Sequence, residues 1–405
     1  MKKVMQVALG IVTSIAGFVE VGSISTSLQA GATFGFQLLW AIALAATCLI
    51  FLIEMSGRLA AVSKHTLADA VRERLGFGYH VVPLTAELIV DFLVLAAEIG
   101  GACFALQLLT GIRFQYWALP VALAAWLALW KGTFGAIEKG VSLLGLIALC
   151  FVVAAVQLHP RGRDVGAGFL PSLPQHHAPN YWFLVVSIVG ATMSPYLMNF
   201  YSSGAVEEEW TEDNLVTNRL TALLGMGFGS CVSMCVLIVS AMVLHPEGVK
   251  VESFEQGALV LTRAFPYWGF LLFGVTLLVE CFGAALEIGM NIAYVPSQAL
   301  GWNWSENVKP SENARFSLVY TAAIFGAALL MLVGVDPIEL TRFSMAFTVL
   351  ILPLIVLPLL VIMNDERYLH EFRNGWLANA VVIVIVGLAF VLALVAIPLE
   401  ILGGS

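Results

Sequence analysis

The chain has 405 residues, of which 60% are apolar and only 11% charged, and its formal net charge is -8. That balance, with a mean hydropathy of +0.92, lies outside the range of soluble domains and inside that of polytopic membrane proteins. The charges are scattered over short loops, which leaves nucleic-acid binding without support, and no stretch is polar enough for a linker, so one membrane domain is expected.

A crossing needs about 20 apolar residues. On that ruler the sequence predicts an all-α protein with eleven spans, at 4-33, 36-56, 82-108, 114-131, 137-158, 180-203, 215-244, 268-296, 315-334, 338-362 and 375-398. With the N-terminus inside, thirteen of the Lys and Arg residues fall on the cytoplasmic side and six outside, so the expected topology is N-in, C-out across a plasma (inner) membrane. The basic start followed by an apolar run also fits a secretory signal peptide, but the polar residues inside that run fit a functional span better. All six cysteines fall inside predicted spans, where they read as small packing residues.

Span 1 is interrupted by Gly17-Phe18-Val19-Glu20-Val21-Gly22-Ser23-Ile24-Ser25-Thr26-Ser27. A carboxylate at bilayer depth costs about 2.5 to 3.5 kcal/mol to insert and marks a functional site by default. Span 3 carries Glu87, Asp91 and Glu98, which the helical repeat places within roughly 40° of one another, on a face that lipid would not tolerate. Span 6 is interrupted by Gly190-Ala191-Thr192-Met193-Ser194-Pro195-Tyr196, and span 8 repeats the acid spacing with Glu280 and Glu287. Asp91, Glu98 and Glu287 read as a proton or ion path, whereas Glu87 and Glu280 are expected near the membrane surface and solvated. No histidine is expected well inside a span. Two broken spans in corresponding places point to an inverted-repeat transporter that binds its substrate at the midplane, with repeats over about 4-158 and 180-362 and an extra helix over about 375-398.

Several stretches resemble the Nramp divalent-metal transporters: Gly17 to Trp40, Ser56-Gly57-Arg58-Leu59 with Thr66-Leu67-Ala68, Ala97-Glu98-Ile99-Gly100, Gly190-Ala191-Thr192 with Pro195, and Pro353 with Leu357-Pro358-Leu359-Leu360. The resemblance implies a LeuT-like fold of two inverted five-helix repeats plus one helix, with helices 1 and 6 unwound, working by alternating access. It fails at the ligands. The family's Asp-Pro-Gly-Asn is here Glu20, Val21, Gly22 and Ser23, and its Met-Pro-His is Ser194, Pro195 and Tyr196. The tenth-span Gln aligns with Met345 and the third-span Asp with Leu95, while the companion Glu persists as Glu98.

The expected substrate site is therefore Glu20, Gly22, Ser23, Ala191, Thr192, Ser194, Tyr196 and Met345, with Glu20 the metal ligand if a cation is carried. Losing the sixth-span thioether argues against a selective transition-metal site, and oxygen ligands suit magnesium or manganese. The same half-helix N-termini favour anions, which keeps a small oxyanion such as bicarbonate open. A transport-inactive sensor is a third reading. Either carrier would need a coupling ion, H+ or Na+. The chain shows no nucleophile and base at recognisable spacing, no zinc motif and no phosphate loop, so neither an enzyme nor a cofactor is expected; a monomer suffices.

Overall fold

A computed structural model describes residues 20–131, 145–172, 174, 177–305 and 307–403. All regular secondary structure among them is helical. The principal helices are α1 (Val21–Phe34), α2 (Leu39–Ser63), α3 (Leu67–Leu75), α4 (Phe77–Thr110), α5 (Ala118–Lys131), α6 (Leu149–Gln157), α7 (Ala178–Thr192), α8 (Pro195–Glu207), α9 (Glu212–Val243), α10 (Gly269–Leu300), α11 (Ala314–Val333), α12 (Pro337–Ile362) and α13 (Trp376–Gly403).

Eight rods among the described residues are long and apolar enough to cross a bilayer: α2, α4, the interrupted pair α7–α8, α9, α10, α11, α12 and α13. The other three expected spans are not completed by these residues. Positions 4-19 of span 1 and 137-144 of span 5 lie outside the described residues, and span 4 is a 3-10 turn at Phe114–Trp117 followed by the 14 residues of α5.

Burial sorts the rods into layers. The α7–α8 rod is 94% buried over its most apolar window, against 22% for α13; the broken rod is the axis of the bundle and α13 its rim. α4 packs along α10 and α12, α1 lies against α7 and α9, and α13 covers α7 and α12.

Two expectations fail at α4 and α10. Glu87 and Glu280 are buried and not solvated, because both helices turn an acidic face onto each other. At 34 and 32 residues, these helices are about 50 Å long, so position along the chain is a poor guide to exposure. α4 also begins at Phe77 and not near residue 82, which brings a buried histidine, His80, into its first turn.

Candidate functional site

Both interruptions have local causes. Between α7 and α8 the chain leaves helical geometry at Met193 (φ -101°, ψ 46°) and is extended at Ser194 (φ -65°, ψ 129°). Pro195 excludes helical geometry from the residue before it and brings no amide hydrogen of its own, so it serves as the first residue of α8. At the start of α1, Glu20 is extended (φ -109°, ψ 172°). Its N–H donates to Ser23 Oγ at 3.0 Å, while that hydroxyl donates to the Glu20 carbonyl at 2.9 Å.

The Glu20 side chain spans the gap between the two breaks. Tyr196 Oη donates to Glu20 Oε2 at 3.2 Å and Ser194 Oγ to Oε1 at 3.4 Å. Glu98 reaches from α4 to the first amide of α1, accepting from Val21 N–H at 3.0 Å on Oε1 and 3.3 Å on Oε2. A carboxylate thus sits on the N-terminal amide of α1, where the helix dipole favours negative charge, and a second one takes the hydroxyls that flank the start of α8.

Met345 on α12 ties the two breaks together. A Cβ at Gly22 would fall 2.7 Å from Met345 Cε and 2.8 Å from its Sδ, with Glu20 Oε1 at 3.4 Å from the same point. A Cβ at Gly190 would fall 2.4 Å from the Met345 carbonyl oxygen. The glycines let one residue press its sulfur on the first break and its backbone on the second, the close approach that small residues permit between membrane helices. A thioether therefore does line the site, supplied by Met345 of α12.

Of the expected residues, Glu20, Gly22, Ser23, Ser194, Tyr196 and Met345 come together, and all are buried; Glu20 and Tyr196 are 1% exposed and Met345 0%, so the site is shielded from solvent. Ala191 and Thr192 are buried at the end of α7, but the Thr192 hydroxyl is not among those that hold the Glu20 carboxylate. Asp91 sits lower on α4 and accepts from Asn291 Nδ2 at 2.8 Å; Glu87 beside it accepts from Asn199 Nδ2 at 2.5 Å. Glu287 is half-buried, near enough to Tyr196 and Glu280 to act on both electrostatically.

Asn199, Asn291 and Glu280 escape the sequence reading. The amides carry no charge to mark them, although Asn199 is four residues beyond Pro195 and Asn291 four beyond Glu287. Glu280 was assigned to the surface by depth, and neither of its carboxyl oxygens has a hydrogen-bond partner among the described residues.

Charge balance constrains what these groups can do. Five carboxyl groups are buried, at Glu20, Glu87, Asp91, Glu98 and Glu280, and Arg58 is the sole buried Lys or Arg among the described residues. Arg58 is engaged elsewhere, donating to the Phe372 carbonyl at 2.7 Å and Asn374 Oδ1 at 2.8 Å. Buried carboxylates without fixed counter-charges demand protons or mobile cations.

A family model described as "Natural resistance-associated macrophage protein-like" matches residues 10–398. Among named relatives, the divalent metal cation transporter MntH of Vibrio campbellii is 26% identical over 396 residues, covering 95% of this chain and 90% of its own. The protein of the same name from Caldanaerobacter subterraneus is 24% identical over 404 residues, covering 95% and 92%. In structure, the Eremococcus coleocola manganese transporter superposes with a TM-score of 0.79 at 20% identity, over 96% of this chain and 86% of that one. The nucleobase-cation-symport-1 transporter Mhp1 superposes at 0.62 and 15% identity, over 96% and 89%. These likenesses show the LeuT-like transporter fold.

Proposed function

The chain belongs to the natural resistance-associated macrophage protein-like family, and from that premise we propose that it is a multi-pass membrane transporter of a divalent metal cation, with Glu20 as the charged ligand and Mn2+ as the ion of choice. Ser194, Tyr196 and water complete the oxygen set, and the Met345 thioether stands behind Gly22. Carboxylate and water suit Mg2+ and Mn2+ alike, while a nearby sulfur favours the softer of the two. Named relatives carry divalent metal cations, which agrees with this choice.

One observation carries the sign of the charge. The donors that could hold an oxyanion already hold the protein's own carboxylates, Glu98 on the Val21 amide at the start of α1 and Glu20 on the hydroxyls of Ser194 and Tyr196 at the second break. A bicarbonate ion would have to displace them, whereas a cation would be drawn to them. Transport follows from two opposed repeats, 4-158 and 180-362, rocking about the chamber, with the N-terminus in the cytoplasm.

The test is uptake into proteoliposomes. Wild type should accumulate Mn2+, weakly inhibited by excess Mg2+, and Glu20→Gln should not. Bicarbonate-driven change of internal pH that survives in Glu20→Gln, without Mn2+ uptake by wild type, would reverse the sign of the substrate. No flux of either kind would leave the sensor as the surviving reading.

A further inference from the structure

A small cavity, partly open at its mouth, lies at the other end of the acidic face of α4. Its volume is about 20 Å3, and its walls include Val71, His80, Pro83, Glu87, Asn199 and Pro358. A polar cavity needs about 10–15 Å3 to hold one water molecule, so this one has room for one. His80 and Glu87 are seven residues apart on one helix, two turns along the same face, and the chamber bridges them.

Unpaired polar atoms lie on this wall and on α10 beside α4. Neither Nδ1 nor Nε2 of the buried His80 has a hydrogen-bond partner among the described residues, and Asn291 Oδ1 is equally unmatched. A buried imidazole with both nitrogens open costs about 1–3 kcal/mol for each unmade bond unless water or a proton partner visits. Glu87 is held by Asn199 at 2.5 Å, and Asn291 ties Asp91 at 2.8 Å. Asp91 lies within electrostatic reach of both Glu87 and Glu20. A chain of proton-binding groups thus runs from the Glu20 chamber to His80 near the start of α4.

The charges around His80 are few. From α3, Arg72 acts on it electrostatically, and that guanidinium is already bound to the Gln298 carbonyl at 2.7 Å and paired with Asp69 at 3.5 Å and Glu73 at 3.7 Å. From α8 the chamber is faced by Asn199, and from α12 by Leu354, Ile355 and Pro358, none of which titrates. On α4 itself the facing acid is Glu87, with Asp91 one turn beyond.

We propose that His80, a water molecule held in this cavity and Glu87 form a proton-release station, through which a proton co-transported with the metal leaves the protein. It rests on the reading of the chain as a cation carrier. The proton passes from the Glu87 carboxyl to the water as that water gives one to the neutral imidazole. The imidazolium then sheds its proton at the helix end, leaving Glu87 ionised and His80 neutral; only O–H and N–H bonds exchange. A metal ion is the poorer occupant, since no three His, Cys, Asp or Glu side chains among the described residues converge to hold one.

The test measures internal acidification per Mn2+ taken up, in proteoliposomes carrying a pH dye at clamped membrane potential. His80→Gln and His80→Ala should lower that ratio by about tenfold or more, the scale of a lost acid–base group. Added imidazole should restore it in His80→Ala. An unchanged ratio in either variant, failure of imidazole to rescue, a wild type that takes up Mn2+ without acidification, or a folded His80→Gln that no longer takes up Mn2+ would overturn the station. Glu20→Gln run alongside separates the two ideas. Normal Mn2+ uptake by that variant sinks the assignment of Glu20, while the ratio in the His80 variants still decides this one.

Discussion

Two buried carboxylates that both meet α8 are held in opposite ways. Glu20 is held by two hydroxyls, at 3.2 and 3.4 Å, each of which can rotate away and turn an oxygen lone pair where its proton had been. Glu87 is held by an amide NH2 at 2.5 Å, a donor that cannot become an acceptor without the whole amide turning over. Hydroxyls let a carboxylate exchange a hydrogen bond for a metal ion; an amide fixes it and leaves only its proton to come and go. The difference teaches that the setting of the upper acid, Glu20, suits the proposed role of receiving a cation, whereas that of the lower acid, Glu87, holds it in place.

The largest expected effect lies at the upper acid. Glu20→Gln keeps the shape and can still accept from Tyr196, but removes the charge, and Mn2+ uptake should fall by about a hundredfold, equivalent to roughly 2.7 kcal/mol of lost binding. Uptake within a factor of two of wild type would remove the distinction between the acids. Next is the frame that positions Glu20. Gly190→Ala drives a methyl against the Met345 carbonyl oxygen, where only 2.4 Å is free. A backbone cannot step aside as a side chain can, so thermal unfolding in detergent should register about 1–3 kcal/mol of overpacking. Gly22→Ala meets only the flexible end of Met345 and should cost less; equal losses would mean that Met345 does not bridge the breaks as described.

A smaller effect is expected at the sulfur. Met345→Leu conserves volume and should cost under about 1.5 kcal/mol in stability, but it removes the one soft atom beside Gly22. Competition of Cd2+ against Mn2+ uptake should weaken by roughly three- to tenfold, or about 0.7–1.4 kcal/mol. Undiminished Cd2+ competition would show that the thioether only packs.

Glu20 and the two breaks were readable in the sequence because each violates a strong rule: an acid in hydrocarbon, and a proline or paired glycines inside a span. The acid face of α4 was readable from helical spacing alone. What escaped depends on long-range partners. Nothing near Val21 announces that its amide is capped by Glu98, 77 residues away, or that the lost sixth-span sulfur is offset by Met345 from another helix. Depth also misled. Glu87 and Glu280 sit about ten residues into helices that outrun the bilayer, and the neighbours that bury them are set by packing. His80 escapes because α4 starts five residues before the expected span, and Gly76 and Gly78 make that first turn read as loop.

The lower acid gives the smallest and most discriminating change. In Glu87→Gln the carbonyl oxygen of the new amide can accept from Asn199 in place of the carboxylate, so stability should shift by less than about 1 kcal/mol, the difference between a charged and a neutral acceptor. Glu87→Ala leaves the Asn199 NH2 buried and unmatched and should cost about 1–3 kcal/mol. Mn2+ uptake should persist in Glu87→Gln, since the proposed metal ligand is Glu20, while acidification per ion should drop because an amide carries no exchangeable acid proton at neutral pH. If Glu87→Gln instead lost Mn2+ uptake as fully as Glu20→Gln, with the fold intact, the two carboxylates would be parts of one metal path, and the hydroxyl and amide settings would carry no functional difference.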